Sequence, residues 1–255
     1  QELGEQILEV VGSSGALNSS QRGLYAQKLK AGKTFEVVER CRRLNPSLVS
    51  QILKLRLDKS GRSSLTHELL ARIPFRGAVT TNYDTFIESH RNNSKVLLPS
   101  DLEQLGDKGL TVLLRDSTDF PVVKMHGSAD RPETLLLGRD DYKEWTRDKA
   151  NYRNFLAALL SQYTAFFYGH SLQDPSVTEL LQDVRGDSTA VKHYAVLVNA
   201  TDEEQDEFKK TLGLETINLE GTDVGRSGRI FLKTFIELTS SGDLKQPGED
   251  SFPPS

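Results

Sequence analysis

The chain reads as an α/β protein: a parallel sheet with helices on both faces, preceded by a helical region. Three observations predict this. Short runs that are apolar throughout recur after residue 75, each run is followed by a segment with helical periodicity, and the first third carries only helical periodicity. A strand buried on both faces loses the alternation of a half-exposed strand, and helices must then cover both sides of the sheet.

The elements follow in order. ELGEQILEVV places apolar residues at 3, 7, 8, 10 and 11, one face of a helix. GSSGALNSS breaks it. TFEVVERCRRL and PSLVSQILKLRL are two further helices, the second opening on Pro46, where a helix start tolerates proline. SSLTHELLARI is another, with Ser63 or Ser64 placed to cap it. The strand candidates are GAVTT, KVLL, VVKM, AFFYG, YAVLV and ETINL, and GAVTT is expected to be buried. Helices are expected over DTFIESH, NFLAALLSQY, PSVTELLQDV, DEEQDEFKKTL and GRIFLKTFIELT. The organisation is therefore a helical part over 1–74, a sheet-bearing core over 75–241 and a Pro-rich polar tail over 242–255.

Composition sets bounds. With 255 residues, 36% of them hydrophobic and 27% charged, the chain can bury a full core. No stretch approaches the roughly 18 consecutive apolar residues that span a bilayer. The N-terminus is acidic and amphipathic, unlike a signal peptide. Net charge is −4 with both signs interspersed, which argues against direct nucleic-acid binding. Cys41 is the single cysteine, so an intramolecular disulfide and a cysteine-based zinc ribbon are both excluded. A cytoplasmic location is the expectation that fits.

In an open parallel sheet, ligands bind beyond the carboxyl ends of the strands. Three such ends carry unusual residues: Asn82 and Asp84 after GAVTT, His126 after VVKM, and GHSLQDP after AFFY. Each has a plainer use. Asn and Asp cap helices, a lone His packs, and Gly-x-Ser forms turns. Their occurrence at one edge of one sheet favours a shared site.

The ordered set TTNYDTFIE, VVKMHGS, LGRDDY and FFYGHSLQDPSV resembles the sirtuin-like (SIR2-like) family over roughly residues 60–240. The match is to the branch without a zinc module, which includes NAD-consuming effectors of bacterial antiphage defence. The resemblance implies a Rossmann-like fold and cleavage of the nicotinamide–ribose bond of NAD+, with NAD as substrate and no metal. By the same resemblance Asn82 holds a water or reacting group beside the nicotinamide ribose. Asp84 contacts the nicotinamide carboxamide, and His126 acts on ribose hydroxyls as general base or orienter. Thr81 and Tyr83 flank this set as cofactor contacts. Gly169, Ser171 and Leu172 approach the cofactor backbone, and Asn199 in AVLVNATDEE meets the adenosine ribose. The chemistry suits these groups. Nicotinamide leaves as a neutral molecule through an oxocarbenium-like transition state, so orientation and a positioned water suffice.

Departures from the family pattern qualify the expectation. The family opens with a strand and a Gly-rich phosphate loop. No segment here matches it, and GSSG at 12–15 reads as a loop between helices. Thr81 stands where sirtuins have Gln, which together with the absent zinc cysteines argues against deacylation. Arg139, Asp140 and Asp141 are expected to open a solvated helix, and His170 to pack. An NAD+ hydrolase would deplete its own cell, so homo-oligomerisation through the helical third, or control by an attached or separate sensor protein, is expected. The alternative is a non-catalytic module that binds NAD or ADP-ribose or assembles into oligomers.

Overall fold

The computed structural model describes residues 2–57, 64–105, 118–137, 150–170, 172, 175–186 and 191–240. The chain forms two compact units, one from Gln1–Arg62 and Arg76–Leu156, the other from Ser63–Phe75 and Ala157–Ser255.

In the first unit, helices α1 (Glu2–Ser13), α2 (Ser19–Lys30), α3 (Thr34–Leu44) and α4 (Pro46–Leu57) precede strand β1 (Ala78–Thr80). Helix α6 (Phe86–Ser89) then leads to β2 (Ser94–Leu97) and β3 (Phe120–Lys124). The periodicity of α1 is realised: Ile7, Leu8 and Val11 are buried among Leu29, Val37, Cys41, Val49 and Leu53. Each such aliphatic side chain contributes about 1.5–3 kcal/mol through burial. Cys41 is a small hydrophobe in that cluster, and burial pushes its thiol up to about 11. GSSG closes α1 rather than following a strand, with Gly15 at φ 80.

Helix α2 was not legible as a helix. Its sequence, SSQRGLYAQKLK, has polar residues on all sides and buries only Leu29. A capping box starts it. Asn18 accepts from Gln21 N at 2.8 Å, and the Gln21 side chain accepts from Asn18 N at 3.0 Å.

Sheet order in this unit is β1-β3-β2, all parallel. The centre strand, β3, is buried along its whole length. Strand β1 differs from the buried run expected, because Val79 is 43% exposed. Among the described residues β1 pairs with β3 alone.

The second unit contains α5 (Leu65–Arg72), α7 (Ala150–Gln162, its C-terminal half), β4 (Phe166–Phe167) and α8 (Pro175–Gly186). Strand β5 (His193–Val198), α9 (Asp202–Leu212), β6 (Leu214–Leu219) and α10 (Val224–Ser240) complete it. Ser64 occupies the N-cap position of α5 without a side-chain hydrogen bond, and Ser63 lies outside the described residues. Order here is β4-β5-β6, again parallel, with β5 and β6 paired over six residues. The core is aromatic. Phe166 stacks within 6.0 Å of Phe75, Phe231 and Phe235, beside buried Leu69, Ile73, Leu232 and Ile236. All six expected strands therefore form and pair in parallel, shared among the described residues between two three-stranded sheets.

Candidate active site

Register places the first group of candidates. Thr80 pairs with Lys124 across β1 and β3, so Asn82 and His126 each stand two residues beyond a matched pair, at the same end of adjacent strands. The two exits are then tied together. Met125 N donates to Thr80 O at 2.9 Å, and Ala129 N donates to Tyr83 O at 2.8 Å. A third segment closes over them: Leu136 N donates to His126 O at 3.0 Å, and the Tyr83 hydroxyl donates to Leu136 O at 2.7 Å.

Gly127 makes this clasp possible. It sits at φ 87, and a Cβ there would lie 2.3 Å from Thr134 O. Only glycine allows the backbone after His126 to pass so close to residues 134 and 135. Ser128 is fully buried beside it and donates its N–H to Thr134 Oγ1 at 3.1 Å. Its hydroxyl has no hydrogen-bond partner among the described residues.

The side chains differ in freedom. Asn82 is exposed, its N–H held by Thr80 Oγ1 at 3.0 Å, and its carboxamide is unbonded among the described residues. Asp84 is half-buried. One carboxylate oxygen accepts from Phe86 N at 3.1 Å, so this residue does set the turn into α6, as the plainer reading of NYD anticipates. Thr81 is half-buried. Tyr83 packs against the helical core, its hydroxyl spent on Leu136. His126 is 4% exposed.

Two charged residues here went unremarked in the sequence. Lys124, the last residue of β3, has a fully buried side chain whose Nζ lies 2.7 Å from Glu88 Oε1 on α6. It also donates to Asp84 O and, at 3.5 Å, to Tyr83 O. The signal was the cation itself inside VVKM: a charge in a run that is otherwise buried requires a buried partner.

The remaining candidates lie in the second unit. Gly169 follows β4 at φ 65, and no atom of the described residues lies within 4 Å of where a Cβ would stand. Leu172 is buried at φ 55, and its N–H donates to the half-buried His170 at Nδ1, 2.9 Å away, so His170 shapes the turn. Ser171, Arg139, Asp140 and Asp141 lie outside the described residues. Asn199 ends β5 at φ 53, and its carboxamide grips the backbone of Gly221 in both directions, at 2.8 and 3.0 Å. Asn218, not singled out in the sequence, makes the same double bond to Ala200 at 3.0 and 2.8 Å. Between these staples, beyond the carboxyl ends of β5 and β6, opens a shallow cavity of about 500 Å³ lined by Asn199, Thr201, Asn218 and Gly221. Among the described residues no cluster of His, Cys, Asp or Glu could hold a metal ion, and no helix is long and apolar enough to cross a membrane.

Comparison with known proteins fits this arrangement. The family model described as SIR2-like domain matches residues 76–217. The chain is 29% identical over 157 residues to the NAD(+) hydrolase ThsA of Bacillus cereus (strain MSX-D12), covering 60% of this chain and 32% of that protein. It is 30% identical over 141 residues to the NAD(+) hydrolase ThsA of Enterococcus faecium, covering 54% and 28%. For the NAD(+) hydrolase ThsA of Acinetobacter baumannii (strain 532279) the identity is 29% over 149 residues, covering 55% and 29%. The chain thus spans about a third of the length of these curated relatives. With the family model covering more than half of its residues, the chain belongs to the SIR2-like domain family.

Proposed function

We propose that this chain carries the NAD+-cleaving site of an NAD+ glycohydrolase. The observation that carries the reading is the register of β1 and β3, which brings a free carboxamide at Asn82 and an imidazole at His126 to one sheet end. Support comes from relatives that bear the name NAD(+) hydrolase.

The reaction breaks the C1′–N bond between ribose and nicotinamide and forms a C1′–O bond to water. Nicotinamide keeps the bonding electron pair and leaves neutral, and the water surrenders one proton. In this reading Asn82 holds the water or the ribose, and His126 receives the proton directly or from a ribose hydroxyl. The unused carboxylate oxygen of Asp84 orients the nicotinamide amide. The clasp supports these roles by holding both strand exits rigid, since positional accuracy is most of what an easily departing group requires. The cofactor contacts expected of Thr81 and Tyr83 belong to the same proposal, and those expected of Gly169, Ser171, Leu172 and Asn199 are proposed for the second unit by itself. For the described ones among them the support is local: strand-end position, with left-handed backbone at Gly169, Leu172 and Asn199. Activity in antiphage defence is the biological setting proposed with it.

Nicotinamide release from NAD+ by the full-length protein tests the proposal. Asn82→Ala and His126→Ala should each reduce turnover at least about 100-fold with unchanged circular dichroism. Full turnover in the Asn82 variant, or calorimetric binding of NAD+ with the ligand recovered intact, overturns it. The latter result would identify a binding module instead.

A further inference from the structure

We infer that Lys124 and Glu88 act as a buried positioning pair, fixing the Asn82–Asp84 turn in its working geometry. The inference rests on the function proposed above. The Lys124 side chain is 0% exposed and that of Glu88 12%, with Val122, Val123 and Met125 buried alongside.

Stability alone does not account for a charge there. Replacing a buried ion pair by apolar side chains of similar volume is commonly neutral or stabilising. What apolar side chains cannot do is hold carbonyl groups. The ammonium takes the carbonyls of two successive residues, Tyr83 and Asp84, besides the Glu88 carboxylate. In a trans peptide the carbonyl and the following N–H point in opposite directions. Drawing these two carbonyls inward therefore turns the N–H groups of Asp84 and Thr85 the other way and fixes both peptide planes flanking Asp84. The direction in which the Asp84 carboxylate leaves the turn follows from those planes, and Asn82 is two residues upstream. Lys124 is itself two residues before His126, so one ammonium ties the two strand exits through their backbones. Glu88 completes the arrangement from α6 with Oε1, while Oε2 has no partner among the described residues.

The test compares Lys124→Met, Lys124→Arg and the double variant Lys124→Met with Glu88→Met in the full-length protein. Lys124→Met should lower kcat by about 30-fold or more and leave KM for NAD+ within about threefold, because misplacement affects the transition state more than ground-state binding. Lys124→Arg should recover part of that loss. The double variant should regain the thermal midpoint but not the turnover. Recovery of both, or wild-type kcat in Lys124→Met, overturns the inference. A second readout is independent of turnover: amide hydrogen exchange at Phe86 and Ala129, whose N–H groups are bonded to Asp84 Oδ1 and Tyr83 O, should quicken about tenfold or more in Lys124→Met, with β5 and β6 unaffected. Unchanged exchange there overturns the inference too. If the wild-type protein does not cleave NAD+, the functional proposal fails by itself, and the exchange measurement still decides whether the pair holds the turn.

Discussion

Replacing Gly127 by alanine probes the clasp directly. A new Cβ would lie 2.3 Å from Thr134 O, 2.6 Å from Thr134 C and 2.9 Å from Leu135 Cα, and all three are backbone atoms that no rotamer change can move aside. Relief requires residues 134 and 135 to retreat. That movement breaks the bonds from Ser128 N to Thr134 Oγ1 and from Leu136 N to His126 O. Each is worth about 1 kcal/mol, and holding alanine at φ 87 adds about 1–2 kcal/mol, so the loss should be about 3–4 kcal/mol. Gly169→Ala supplies the internal control. Gly169 has φ 65 and, among the described residues, nothing within 4 Å of an added Cβ, so the expected cost is the strain of about 1–2 kcal/mol. Urea denaturation followed by far-ultraviolet circular dichroism measures both losses, and nicotinamide release measures the cost to the site. Equal losses in the two variants would refute the clash argument. Undiminished turnover in Gly127→Ala would refute the claim that the clasp positions His126.

Two further predictions concern the second unit. Burial holds the His193 imidazole below its ordinary value, and its Nδ1 accepts from Ala165 N at 3.1 Å, which requires that nitrogen to be unprotonated. The unfolded chain therefore binds the additional proton first as pH falls. Stability should be unaffected above about pH 6.5 and should decline below it by up to about 1.4 kcal/mol per pH unit until the folded value is passed. Urea midpoints across that range should show this slope, and His193→Asn should flatten it; an unchanged slope rejects the assignment. For Asn199, substitution by glycine keeps the left-handed backbone and loses the two bonds to Gly221, costing about 2 kcal/mol, whereas alanine adds strain of about 1–2 kcal/mol. Equal urea midpoints for the two variants would show that the φ of 53 stores no strain.

What the sequence discloses depends on how local each cause is. The strands could be recognised as short apolar-rich runs such as YAVLV, the pattern of a parallel sheet covered on both faces, although ETINL alternates and β6 is mostly half-buried. Helix α9 was equally plain, carrying acidic residues in its first turn, the Thr201–Glu204 capping box and Gly213 as its left-handed cap. Strand pairing was less accessible. Nothing in KVLL or AFFYG states which neighbour it takes, so division into β1-β3-β2 and β4-β5-β6 emerges only in three dimensions. Val79 shows the same dependence, because its exposure follows from what packs around β1 and not from its own chemistry. At the site, residue types and strand ends marked Asn82, Asp84 and His126. The support beneath them was hidden, since Lys124 and Glu88 lie 36 residues apart and their ion pair depends on the approach of α6 to β3. Asn218 stayed unnoticed for a similar reason: its partner, Ala200, belongs to a different strand end.

Cys41 has a practical corollary. Its sulfur is enclosed by the helical core, and a thiol held near 11 is almost entirely in its unreactive protonated form at neutral pH. The native surface thus presents no competing nucleophilic sulfur to maleimide reagents. A single cysteine introduced at an exposed position such as Lys210 would take a fluorophore or spin label at that point alone, with no need to remove the natural residue first.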